Sequence, residues 1–280
     1  LLFAAALRYG LEGTHTHTSH EDKKLMKNLF DVSGKVTVIT GGSRGIGEMI
    51  AKGFVENGAK VYITARKAEA CDATAARLSE IGTCISLPYD LSTVEGVTAF
   101  AKEIEDREEK LDVLINNAGA AWGEPIDDYS EKGWDKVFDI NIKGPFFLTQ
   151  KLLPLLRKAA TYEEPARIIN TASINGIEPP ILDTFAYSSS KAGMIMLTRH
   201  LAGRLADDNI LVNAIAPGPF PSNMMAATLA TMGDAIKADN PRKRIGEPED
   251  IAGVAIFLAS RASAYTTGAT VPCDGGASQV

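Results

Sequence analysis

Lys35-Val-Thr-Val-Ile39, Thr40-Gly-Gly-Ser-Arg-Gly-Ile-Gly47 and Glu48-Met-Ile-Ala-Lys-Gly-Phe-Val55 follow one another without a break, and their reading decides the fold. The first is a short β-branched run of the kind that forms a buried strand, and the last has apolar residues at helical spacing. Strand, glycine turn and helix in that order make a phosphate cradle. The glycines allow a tight turn and close backbone approach, while the helix N-terminus offers free N–H groups and the positive end of its dipole. The spacing Gly41-x3-Gly45-x-Gly47 departs from the usual GxGxxG fingerprint, so the turn alone is as readily structural as functional.

Working outward, strands alternate with helices through the rest of the chain. Strands are expected at 35–40, 60–65, 83–88, 111–115, 166–172, 209–215 and 270–273, with helical stretches at 45–57, 68–81, 93–109, 130–158, 185–207 and 247–260. Runs such as Ile210-Leu-Val-Asn-Ala-Ile-Ala216 suit a parallel sheet covered on both faces. No Pro/Gly/Ser linker or charge block divides residues 30–280, so one α/β domain is expected: a doubly wound parallel sheet of about seven strands with helices on both faces.

The formal net charge of −6 argues against nucleic acid or an anionic membrane as partner. Cys71, Cys84 and Cys273 are odd in number and lack metal-type spacing, which reads as thiols in a reducing, cytoplasmic compartment. No apolar stretch approaches the roughly 20 residues that span a bilayer. Residues 1–29 read as an N-terminal extension. Its His15-Thr-His-Thr-Ser-His20 run looks like many polar extensions, and no metal is expected. Arg8 is the only basic residue before Lys23, thin for a mitochondrial signal.

Chemistry is carried by Ala186-Tyr-Ser-Ser-Ser-Lys-Ala-Gly193, with Ser173 upstream. Residues four apart share a helix face, so the Lys191 ammonium can sit beside the Tyr187 phenol. Bringing a phenol from a pKa near ~10 to ~7 needs about 4 kcal/mol. One unit charge at about 4 Å, with an effective dielectric near ~20, supplies roughly that. By itself YxxxK falls on many solvated helices.

Taken together and in this order, these motifs resemble the short-chain dehydrogenase/reductase family over roughly residues 30–276, with a single-domain Rossmann fold implied. The likeness extends to Asp90-Leu91, Asn116-Asn-Ala-Gly119, Asn141 in Asn-Ile-Lys-Gly144, Pro217-Gly218 and Asp274-Gly-Gly276. The resemblance implies that Tyr187 donates a proton, that Ser173 orients the carbonyl, and that Lys191 lowers the tyrosine pKa and holds the nicotinamide ribose. It assigns Asn141 to a proton relay through a bound water. It places a dinucleotide on Gly41, Ser43, Arg44, Gly45, Ile46, Gly47, Arg66, Asp90, Leu91, Asn117, Ala118, Gly119, Tyr187, Lys191, Pro217, Gly218 and Ser222. Relatives that prefer NAD end the second strand with an acid. Here Ala65 stands there, followed by Arg66 and Lys67, which points to NADPH, since arginine suits a 2′-phosphate and an acid repels it.

Segment 219–245 corresponds to the family's variable substrate lid. Its Phe220, Met224, Met225, Leu229 and Met232 suit an acyl chain, although such residues at helical spacing are also ordinary packing. Ala121-Trp-Gly123, Lys151-Leu-Leu-Pro-Leu-Leu-Arg157 and Glu164-Pro-Ala-Arg167 look most like the β-ketoacyl reductase branch associated with rhamnolipid synthesis. The expected substrate is therefore a small-molecule carbonyl, a 3-oxoacyl thioester. The arginines that such enzymes present to acyl carrier protein are replaced by Phe147 and Gly203, which puts that partner in doubt. Family likeness also implies a homotetramer or homodimer. Two further readings stay open: a polyol, sugar or secondary-alcohol dehydrogenase of the same fold, and a non-catalytic dinucleotide-binding protein.

Overall fold

The computed structural model describes residues 27–279; the predicted extension up to residue 26, with the His15–His20 run, lies outside the described residues. Seven strands form one parallel sheet: β1 Val36–Thr40, β2 Lys60–Thr64, β3 Thr83–Ser86, β4 Val113–Asn116, β5 Ala166–Thr171, β6 Ile210–Pro217 and β7 Thr270–Cys273. They lie in the order β3-β2-β1-β4-β5-β6-β7. The order reverses between β1 and β4, and the crevice beyond the strand ends at that switch point is where open α/β sheets take ligands.

Helices cover both faces. α1 Gly45–Glu56, α2 Ala68–Ser79 and α8 Pro248–Ala259 bury Ile50, Phe54, Cys71, Leu78, Ile251 and Leu258 with Ile39, Ile63 and Ile115 of the sheet. On the other face α3 Val94–Arg107, α5 Gly144–Ala159 and α6 Phe185–Leu205 pack Phe100, Ile104, Leu148, Leu152 and Leu205 against Val38, Leu114, Ile168 and Val212. Both faces of β1 and β4 are therefore dry, which explains why their sequences read as continuous apolar runs. Among the described residues no helix is long and apolar enough to cross a membrane.

The expected 130–158 helix is interrupted. α4 Glu131–Phe138 passes through a π-helical turn, Asp139–Lys143, before α5 begins. Pro145 has no N–H to donate to the carbonyl four residues back, that of Asn141, so the ladder cannot continue there. Gly144 is required at the junction, because a Cβ on it would lie 2.3 Å from the Leu91 carbonyl oxygen. Segment 219–245 contains α7 Ala226–Asp239, which has no buried residue.

Candidate active site

The glycine turn leaves β1 with Gly41 at φ +68 and Gly45 at φ +57, both left-handed conformations that favour glycine. A Cβ on Gly47 would lie 2.3 Å from the Gly41 carbonyl oxygen and 2.4 Å from Asn117 Nδ2. The backbone is that close because β4 is tied to it. Thr40 Oγ1 accepts from the N–H groups of Asn117 and Ala118, each at 2.9 Å, and Asn117 Nδ2 donates to the Thr40 carbonyl at 2.9 Å. Asn117 thus spends its side chain on bracing the turn.

The first N–H groups of α1 have no intrahelical partner, and the Arg44 side chain does not cap them. A glycine-rich cradle ending in uncapped N–H groups fits a pyrophosphate. Ile46 packs into the core behind the turn. The Ser43 carbonyl accepts from Thr74 Oγ1 at 3.0 Å. Arg44, Arg66 and Lys67 are exposed and have no ion-pair partner among the described residues. Such free cations, Arg44 on the turn and Arg66 and Lys67 past the end of β2, fit a ribose phosphate better than a bare diol. The Asp90 carboxylate turns back on its own loop, accepting from the backbone N–H and hydroxyl of Ser92, while Leu91 is buried. Across the crevice Gly218 N–H donates to the Cys273 carbonyl at 3.0 Å, fixing the turn after Pro217. Ser222 lies against the turn, its Cβ 3.1 Å from where a Cβ of Gly45 would be.

Ser173 stands in extended backbone just beyond β5, its hydroxyl accepting from Asn175 N–H at 3.1 Å. Tyr187 and Lys191 lie in the first two turns of α6. Lys191 is buried, and its Nζ donates to the Thr171 carbonyl at 2.7 Å and sits 5.6 Å from the Tyr187 ring centroid. Tyr187 keeps part of its surface open but is packed on most sides, and burial raises its pKa, partly offset by the Ser173 hydroxyl. Burial also brings the Lys191 ammonium down to about 8. The resemblance implies a tyrosine lowered by the lysine; instead burial moves the phenol upward, and the ammonium is turned toward the Thr171 carbonyl.

Asn141 occupies the π-helical turn and is buried. Its Nδ2 donates to the Ala120 carbonyl at 3.0 Å and to Ser190 Oγ at 2.9 Å, and its Oδ1 accepts from Ala120 N–H at 2.9 Å. Ser190 Oγ in turn donates to the Tyr187 carbonyl at 2.7 Å. The asparagine side chain is therefore committed to clamping the loop after β4 onto α6. Gly119 fits beneath this clamp, since its Cβ would lie 3.1 Å from Asn141 Oδ1 and 3.7 Å from Lys191 Nζ.

The structure brings Ser173, Tyr187, Lys191 and the glycine turn to one crevice, and adds residues that sequence reading did not single out. Thr40, Thr74, Thr171 and Ser190 hold the site through hydroxyls or a carbonyl. Thr40 and Ser190 were in the quoted motifs; Thr74 carried no signal. Ile177, Ile181 and Leu182 of the segment after Ser173 are exposed, as are Met224 and Met232.

A family model described as Enoyl-(Acyl carrier protein) reductase matches residues 41–278. The rhamnolipids biosynthesis 3-oxoacyl-[acyl-carrier-protein] reductase of Pseudomonas aeruginosa is 46% identical over 254 residues, covering 90% of this chain and 99% of that protein. The 2-dehydro-3-deoxy-D-gluconate 5-dehydrogenase of Dickeya dadantii is 35% identical over 259 residues, covering 90% and 98%. Among solved structures, the Pseudomonas aeruginosa RhlG/NADP active-site complex superposes with a TM-score of 0.87 at 45% identity, covering 90% of this chain and 100% of the other.

Proposed function

The chain belongs to the short-chain dehydrogenase/reductase family, and from that premise we propose that it is an NADPH-dependent carbonyl reductase acting on 3-oxoacyl thioesters. The observation that carries the proposal is the convergence of Ser173, Tyr187 and Lys191 beside the glycine cradle. Gly41, Gly45, Gly47 and the N-terminus of α1 would take the pyrophosphate, and Arg44 and Arg66 the 2′-phosphate. Asp90 and Leu91 would border the adenine, and Asn117, Ala118, Gly119, Pro217, Gly218 and Ser222 the rest of the cofactor cleft. When bound, NADPH supplies a hydride to the carbonyl carbon.

The remaining work falls to the protein. Ser173 Oγ–H donates to the carbonyl oxygen and stabilises the charge that develops there. Burial keeps the Tyr187 phenol protonated at neutral pH, so it holds the proton that the alkoxide, a much stronger base, removes. The Lys191 ammonium lies close enough to steady the phenolate until a proton returns from solvent. Asn141 keeps α6 and the loop after β4 in register, with a relay of that proton as its further expected part.

The thioester assignment is supported by the 46% identical relative and by the exposed apolar side chains of the segment after Ser173 and of segment 219–245, which suit an acyl chain better than a polyol. It stops short of acyl carrier protein, because Phe147 and Gly203 offer an acidic partner no charge. A cytoplasmic homodimer or homotetramer built on the outer faces of α5 and α6, where Phe146 and Met196 are exposed, belongs to the same reading.

The test is oxidation of NADPH against NADH with short and medium 3-oxoacyl-CoA and with a ketose. Thioester turnover specific to NADPH is expected; turnover of the ketose alone would overturn the substrate class. Tyr187→Phe should lower turnover by about 10²–10⁴-fold while NADPH binding is kept. An active Tyr187→Phe protein would remove the proposed mechanism.

A further inference from the structure

Threonines inside helices usually turn the hydroxyl back to the carbonyl four residues earlier, and this chain follows that habit at Thr98, Thr198 and Thr231, whose hydroxyls reach Val94, Met194 and Ala227. Thr74 of α2 departs from it. Thr74 is 4% exposed, and its hydroxyl reaches out of its own helix to the Ser43 carbonyl on the glycine turn at 3.0 Å. Arg66 and Lys67 immediately precede α2, and Arg44 follows Ser43 directly. One part-buried hydrogen bond from a buried threonine therefore links the elements that carry the two cationic lips, one on the turn and one at the end of β2. Cys71, one turn earlier, fixes the same helix to β2 through its thiol and the Ile63 carbonyl at 3.6 Å. Glu48 of α1 and Arg77 of α2 also form an ion pair, but its side chains are 30% and 54% exposed, and such pairs contribute little.

We infer that Thr74 is a positioning residue for cofactor discrimination: by holding the Ser43 carbonyl it sets the separation of Arg44 from Arg66, and so the grip on a 2′-phosphate. The inference rests on the NADPH reading above. The pyrophosphate part of the cradle has a separate brace, because Thr40 and Asn117 hold it from the β4 side. Loss of the hydroxyl should loosen the outer lip and leave the inner cradle in place.

Binding of NADPH and of NADH to the purified full chain, each followed by nucleotide fluorescence, tests this. Thr74→Val should weaken NADPH by about five-fold, the equivalent of one neutral hydrogen bond, and leave NADH unchanged; Thr74→Ser should restore the preference. Equal weakening of both nucleotides, no change in either, or failure of Thr74→Ser to rescue would each overturn the inference. Arg66→Ala separates the two levels. If it leaves the NADPH preference intact, the phosphate reading itself falls; if it abolishes the preference while Thr74→Val does not, only the role of Thr74 falls.

Discussion

The two walls of the crevice are built on different terms. On one side β1, the glycine turn and α1 are locked from β4 by Thr40 and Asn117, from α2 by Thr74, and by glycine contacts too close for any Cβ. Facing it, segment 219–245 is tied mainly near its base. Gly246 N–H donates to the Pro219 carbonyl, Gly246 lies under the Phe220 ring, and Asn240 Nδ2 donates to the Asp274 carbonyl at 2.7 Å. Between these ties α7 buries nothing. A wall that binds one invariant cofactor gains from being pre-formed, whereas one that covers a variable chain has to move or adapt.

The contrast is broken most sharply with a matched pair of glycines. Gly47→Ala puts a methyl group 2.3 Å from a backbone oxygen, which no rotamer can relieve, and should cost at least about 3 kcal/mol and abolish NADPH binding. Gly233→Ala on α7 meets nothing nearer than Leu229 Cβ at 4.0 Å and should stabilise the protein by about 0.5–1 kcal/mol. Denaturant unfolding reads both. Equal effects at the two positions would mean that the walls do not differ in rigidity.

Asn240 sharpens the comparison at the base of the second wall. It is 5% exposed, donates to the Asp274 carbonyl, and accepts from Arg242 N–H at 2.8 Å. Asn240→Ala strands two partners and should cost about 1–3 kcal/mol. Its kinetic signature should be a raised KM for the ketone with the NADPH dissociation constant unchanged, because its side-chain hydrogen bonds go to Asp274 and Arg242 rather than to β1, the glycine turn or α1. A parallel rise in both constants would show that the walls are coupled.

Both the rigidity of the first wall and the kink beside it have roots in the sequence, but they differ in how plainly they can be read. Val36–Thr40 and the three glycines are legible because a β-branched run, left-handed turns at Gly41 and Gly45 and the close approach at Gly47 admit few residue types. The break at Asp139–Lys143 is masked by apolar spacing that continues across it, although Pro145 marks the spot. Tyr187 and Lys191 are legible as a pair, yet their protonation is not. Spacing on a helix gives proximity, whereas the raised phenol and the lowered ammonium come from burial, which depends on elements distant in sequence. Thr74 is hidden for a similar reason, since its partner is on a different element.

The smallest effect expected concerns the Arg244–Asp250 pair, which fastens the end of segment 219–245 to α8. Arg244 Nη2 donates to Asp250 Oδ1 at 2.9 Å, and the Glu247 N–H donates to Oδ2 of the same carboxylate at 2.8 Å. Chiefly through the arginine, the Asp250 carboxyl is held down to about 2. A carboxyl whose folded pKa lies below its unfolded value near ~3.9 stabilises the fold above that pH, and the contribution is lost as pH falls through the folded value. Arg244→Ala should therefore lower Tm by a constant amount above about pH 5, and the difference from wild type should close as pH approaches about 2. The side chains are 38% and 33% exposed, so solvent and salt screen the pair and the shift should be smaller than that of Asn240→Ala. A shift as large as that of Asn240→Ala, unchanged by salt, would mean that the base of the second wall is as tightly built as the glycine turn.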